Sequence, residues 1–131
     1  MSIRETIRSL VDDIIPFDDV ERLHQADVLA WIDQGEPIFR IQKPDVPKKH
    51  LVSYFVPVDT ENSSMLLIDH INAELWLPPG GHIDADEHPK ETVKREAMEE
   101  LGIDAQFLRG GQPLFITITD TVAKTAGHTD V

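Results

Sequence analysis

The chain has 131 residues, 40% of them hydrophobic and 27% charged, the make-up of one water-compatible domain large enough for a real core. A formal net charge of −12 excludes general affinity for nucleic-acid polymers or anionic membranes, and the lack of cysteine excludes disulfides and thiolate chemistry. No apolar run approaches a membrane span, and Met1-Ser2-Ile3-Arg4-Glu5 lacks the basic-then-apolar layout of a signal peptide, so cytoplasmic residence is the expectation.

Residues 2–15 predict a helix. Ser2 and Glu5 form a capping-box pattern, Ile3, Ile7, Leu10, Val11 and Ile14 line one face, and Pro16 ends it. A second helix is expected from Asp18 or Asp19 to Gln34, with Leu23, Ala26, Ala30 and Trp31 inward and Gly35 as its stop. Residues 35–49 read as a linker with a short extended piece at residues 37–40. Within it, residues 43–50 are the densest basic stretch. Their ordinary reading is a solvated, proline-stiffened loop, and the sharper one is a phosphate contact near a cleft.

Residues 50–58 and 65–69 read as the strands of a hairpin across a turn-rich segment. Residues 72–79 read as a loop carrying Trp76, with a core or cleft-wall role favoured over base stacking. Gly80 and Gly81 are expected to turn tightly and let the backbone approach a ligand. A helix follows over residues 89–101, opened by Pro89, with Val93, Ala97 and Leu101 inward. Residues 103–108 and 113–119 are expected strands. No repeat or low-complexity tract is present.

The third helix carries the most informative pattern. Glu96, Glu99 and Glu100 fall at i, i+3 and i+4, which places three carboxylates on one face. Glu96 against Glu100 opposes helix formation, and Glu99 and Glu100 occupy the last turn, where the helix dipole favours cations. A divalent cation with a taste for hard oxygen ligands, Mg²⁺ or Mn²⁺, resolves both conflicts. Glutamate runs are common on solvated helix faces, so the triad alone would be weak evidence.

It does not stand alone. Gly81-x5-Glu87-x7-Arg95-Glu96-Ala97-x-Glu99-Glu100-x-Gly102-Ile103 resembles the Nudix box at every fixed position. Trp76-Leu77-Pro78-Pro79-Gly80-Gly81-His82 is similar to the approach to that box, with one extra proline. The resemblance implies an α/β/α sandwich with a mixed sheet, here with two additional N-terminal helices. It implies one domain over residues 1–131, with residues 1–35 as a helical extension and 50–131 as the core. It also implies hydrolysis of a diphosphate bond in a nucleoside triphosphate or nucleoside diphosphate derivative, with Mg²⁺ or Mn²⁺ as cofactor. By the same resemblance Glu96, Glu99 and Glu100 are metal ligands, with the Gly80 carbonyl as a further one. Glu96 can also activate a water. Arg95 pairs with a box glutamate, Glu87 adds an outer contact, and Gly81 and His82 are the candidate substrate contacts.

Two alternatives stay open. One is a truncated or degenerate domain that binds a nucleotide or metal without efficient turnover. The other, an isopentenyl-diphosphate-isomerase-like activity, is poorly supported because that chemistry uses a cysteine. The aspartates after the box, Asp104, Asp120 and Asp130, match no further acidic position of the family. His82, His88 and His128 show no paired spacing and read as surface or loop histidines. Against the family pattern a last strand and helix are expected to be missing, and the uncovered sheet predicts a homodimer through it or through the N-terminal helices.

Overall fold

A computed structural model describes residues 1–43, 45–71, 73–121 and 127–131. Pro44 of the basic stretch and Asn72, where the Trp76 loop was expected to begin, lie outside them.

Two helices open the chain, α1 (Ile3–Asp12) and α2 (Asp19–Asp33). The Ser2–Glu5 capping box forms in full, and Asp18 caps α2 by accepting from the Glu21 N–H. Helix α1 stops three residues short of the expected end. Pro16 disfavours helical geometry at Ile15, and its ring would meet the Asp12 carbonyl. The side chain of Gln25 takes over two carbonyls there, of Val11 at 2.8 Å and Ile14 at 2.7 Å. A two-pronged Arg8–Asp33 pair, at 2.6 and 2.9 Å, fastens the helices side by side. The buried stripe of α2 is Val28, Trp31 and Ile32. Of the expected set only Trp31 is inward, because Leu23, Ala26 and Ala30 lie on the opposite side of the helix.

The expected strand over residues 50–58 is broken in three, and each piece has its own partner. Strand β1 (Lys49–His50) pairs in parallel with β9 (Thr129–Asp130), which also pairs antiparallel with β8 (Thr119–Asp120). Strand β2 (Val52–Tyr54) pairs antiparallel with β7 (Gly80–His82). Leu51, at the switch between partners, is buried and held by backbone bonds to Ile38 and Ile83. A hairpin joins β3 (Val58–Asp59) to β4 (Ser64–Met65), its turn held by Asp59 accepting from the Glu61 and Asn62 N–H groups.

The segment read as a loop contains a strand. β6 (Leu75–Leu77) pairs with β5 (Ile68–His70), and Trp76 on it is 66% exposed, so it is not a core residue. Of residues 103–108 and 113–119, expected as strands, only Thr119 joins a ladder among the described residues, as the first residue of β8. Ile116 and Ile118 instead pack on the core by their side chains. At the end of the sequence Thr129–Asp130 forms β9, and Val131 after it is buried.

Helix α3 (Pro89–Leu101) has the expected bounds, capped by His88 and stopped by Gly102 in the left-handed region at φ 66°. It packs on β7 and β2. Ala97 is buried, Val93 and Leu101 are half-buried, and Thr92 is a fully buried residue that the apolar pattern did not mark. One core unites Ile7 and Val11 of α1, Val28, Trp31 and Ile32 of α2, and Ile38, Leu51, Ile83 and Val131. With three helices and small mixed sheets, the fold is of the α/β class expected for a Nudix domain.

Candidate active site

The site is built where α3 lies against β7. Gly80 and Gly81 do not turn there. Both are strand residues paired with Tyr54 and Ser53, and neither has a positive φ. Their smallness serves close packing instead. A Cβ on Gly80 would sit 2.6 Å from the Ser53 carbonyl oxygen, and one on Gly81 would overlap the Glu96 carboxylate. The strand thus presents bare backbone to α3.

Arg95 is the hub. Its Nε and a terminal nitrogen donate to the two oxygens of Glu87 at 3.1 and 3.0 Å, a fork-on-fork pair. The other terminal nitrogen donates to Glu96 Oε1 at 2.8 Å and lies 3.8 Å from Glu99. The guanidinium also donates to the His82 carbonyl at 3.1 Å, which ties α3 to β7. The Asp84 carboxylate stands 3.5 Å away. Thr92 completes the set by donating to Glu87 Oε1 at 2.6 Å.

Charge follows from these contacts. The Arg95 fork, helped by Thr92 and the Asp84 N–H, holds the Glu87 carboxyl at about 2, well below its usual 4.5. The same pairing raises the already high pKa of Arg95. Glu96 behaves oppositely. Its burial, then its contact with Glu100 and the charges of Glu100 and Glu99, push its pKa up against the pull of Arg95. Its side chain is 13% exposed, whereas that of Glu99 is 60% exposed. The last turn of α3 holds no basic residue, so negative charge gathers at the negative end of the helix dipole. A hard divalent cation suits that donor set.

The structure therefore brings Glu87, Arg95, Glu96, Glu99, Glu100 and Gly81 together. Pattern reading missed Asp84 and Thr92. Thr92 carried a signal, since it lies one turn before Glu96 on the same helix face. Two cavities, of about 480 and 180 Å³, lie at the β3–β4 hairpin and at the start of α3, and neither is lined by a box glutamate.

His82 is placed differently from the expectation. It leaves the glutamates and joins His50, His128 and Asp45, with one ligand-type atom from each within 4.8 Å of the others. His50, from the stretch read as solvated, is fully buried, and His128 is largely so. These are interior groups, not surface histidines. Burial, with the nearby Arg40 cation, lowers the pKa of His82 to about 4. Burial raises that of Asp130, against the pull of His128 and His50. His88 is an N-cap residue that accepts from the Lys90 N–H.

The NUDIX domain model matches residues 48–124. The chain belongs to the Nudix family. It is 43% identical over 47 residues to an RNA pyrophosphohydrolase of Gluconacetobacter diazotrophicus, which covers 36% of this chain and 28% of that one. It is 37% identical over 62 residues to the asymmetrical bis(5'-nucleosyl)-tetraphosphatase of Rattus norvegicus, covering 47% of this chain and 40% of that one. It is 42% identical over 50 residues to the phosphatase NudJ of Escherichia coli, covering 37% and 33%. The chain thus spans well under half the length of these curated relatives. No solved structure matches it. Among the described residues no helix is long and apolar enough to cross a membrane.

Proposed function

We propose that this domain hydrolyses a diphosphate bond in a nucleoside triphosphate or nucleoside diphosphate derivative. The observation that carries the reading is the gathering of Glu96 and Glu99 at Arg95, with Glu100 against Glu96 and Gly81 leaving room for the Glu96 carboxylate. The three relatives, named as hydrolases of nucleic-acid or nucleotide phosphates or as a phosphatase, support the same class.

Glu96, Glu99 and Glu100 would hold Mg²⁺ or Mn²⁺, with the Gly80 carbonyl as a further ligand. When bound, such ions neutralise charge on the diphosphate and acidify a coordinated water. The chain's own residues do the rest. Arg95 fixes the Glu96 carboxylate, and Glu87 with Thr92 fixes Arg95. Glu96, the buried member with raised proton affinity, is suited to draw a proton from an attacking water. Gly81 leaves the room that Glu96 occupies. His82 offers its carbonyl to Arg95, so its part in substrate binding would come through the backbone.

The test is a panel of nucleoside triphosphates, dinucleoside polyphosphates and nucleotide sugars with Mg²⁺ or Mn²⁺. Cleavage should be metal-dependent and fall on the order of a hundredfold or more in Glu99→Gln and Glu100→Gln. Binding without cleavage across the panel would favour the alternative of a nucleotide-binding module. A homodimer and cytoplasmic residence belong to the same reading. Val58, Met65, Leu75 and Trp76 are exposed apolar side chains that a pairing contact would cover, which light scattering across concentrations would test.

A further inference from the structure

The imidazole cluster lies on the other side of β7 from the glutamates. Successive strand residues face opposite ways, so Gly81 meets Glu96 while His82 points away from α3. Four separated segments converge there: Asp45 from the loop before β1, His50 from β1, His82 from β7, and His128 with Asp130 at β9.

The atoms are arranged as ligands are. His50 Nδ1 lies 2.7 Å from the Pro47 carbonyl, so that nitrogen donates there and Nε2 is the ring atom left facing the cluster. His50 Nε2 stands 3.9 Å from Asp45 Oδ1 and 3.7 Å from Asp130 Oδ1. His128 Nδ1 is 3.4 Å from Asp45 Oδ2, and its Nε2 is 2.9 Å from Asp130 Oδ1. Around one tetrahedral ion at about 2.0–2.1 Å, neighbouring ligand atoms stand roughly 3.3 Å apart. The four ligand atoms lie within 4.8 Å of one another, so binding would draw the widest of them in by up to about 1.5 Å.

A hydrogen-bond network would satisfy its buried atoms, and this one does not. His50 Nε2, His82 Nδ1 and Asp130 Oδ1 are buried without a hydrogen-bond partner among the described residues, the close approach of His128 to Asp130 notwithstanding. Native interiors rarely leave such atoms unmatched, and three at one point is a shared requirement. His50 itself is fully buried. Outer contacts are also in place: Arg40 lies 3.5 Å from Asp45, and the Tyr54 hydroxyl donates to Asp130 Oδ2 at 3.4 Å.

We infer that Asp45, His50, His82 and His128, with Asp130 beside them, form a site for a divalent transition metal of the Zn²⁺ class. Imidazole nitrogen selects Zn²⁺ or Co²⁺ over Mg²⁺, so this site differs in chemistry from the carboxylate face and does not depend on the function proposed for it. Its closed donor set fits a structural ion, which would clip β1, β7 and β9 together behind the α3 face.

The experiment uses the full chain, stripped with chelator and titrated with Co²⁺ and then Zn²⁺. One equivalent of Co²⁺ should give the intense visible bands of a tetrahedral site, and Zn²⁺ should bleach them and raise Tm. Glu99→Gln/Glu100→Gln should leave both responses intact. His128→Gln and His82→Gln should each weaken Zn²⁺ binding at least tenfold. Where either variant fails to fold, X-ray absorption on the Zn²⁺-loaded unaltered chain decides, with two or more imidazoles in the zinc shell expected. A stripped chain that binds no Co²⁺ or Zn²⁺ overturns the site. So does binding lost with the glutamates and kept by the histidine variants, or a zinc shell without imidazole.

Discussion

The two faces of β7 solve the problem of gathered polar groups in opposite ways. On the α3 face one guanidinium organises the charges, with Arg95 bonded to Glu87, Glu96 and the His82 carbonyl, and with the Glu99 carboxylate exposed at the edge. On the other face the groups are interior, and three of their atoms have no hydrogen-bond partner among the described residues. The first arrangement has a protein cation at its centre and keeps carboxylates at its edge. The second has Arg40 at its rim and gathers imidazole nitrogens. Donor chemistry thus separates a carboxylate face suited to hard, exchangeable ions from an imidazole cluster suited to a held one.

The comparison breaks first at Arg95. Arg95→Ala strands Glu87 and Glu96 and should lower stability by about 2 kcal/mol or more in urea denaturation. Arg95→Lys should restore little, because an ammonium cannot fork onto Glu87. The imidazole resonances of His50 and His128 should scarcely move in either variant. Large shifts there would mean that the two faces are one unit.

Gly81→Ala is a finer cut. The added methyl overlaps Glu96 and should displace that carboxylate, weakening Mn²⁺ binding roughly tenfold with the helix content unchanged. Unaltered Mn²⁺ affinity would remove Glu96 from the metal set.

Acid should separate the faces by pH. With metals chelated, His82 takes up a proton below its ordinary 6.5 in the unfolded chain but only near 4 when folded, so stability falls as the pH drops from 6.5 to about 4. Glu87 is depressed, so its contribution is complete above 4.5 and is lost as the pH falls from 4.5 towards 2. Urea midpoints should show the first loss vanish in His82→Asn and the second in Glu87→Gln. The smallest effect belongs to Trp76, exposed on β6, where Trp76→Ala should change stability by less than about 0.5 kcal/mol.

What could be read in advance follows the same division. Helix α3, its cap and stop, and the grouping of Glu96, Glu99 and Glu100 are local, since three- and four-residue spacings place them without any partner. The Ser2–Glu5 box is equally local. The imidazole cluster is not. Its members stand at positions 45, 50, 82 and 128, with no shared spacing, and only the pairing of β1 with β9 and β2 with β7 unites them. Strand pairing also decided Gly80 and Gly81. Two adjacent glycines suggest a turn, but here Gly80 lets β2 approach closely and Gly81 makes room for Glu96 of α3. Residues 103–108 have the composition of a strand and lack a partner among the described residues, which composition cannot foresee.

The most direct measurement is hydrolysis in ¹⁸O-labelled water with Mg²⁺, followed by ³¹P NMR or mass analysis of the products. The account predicts one ¹⁸O on a phosphoryl product of the full chain, and loss of that product in Glu99→Gln and Glu100→Gln. Label entering at carbon, or equal turnover in both variants, would contradict it.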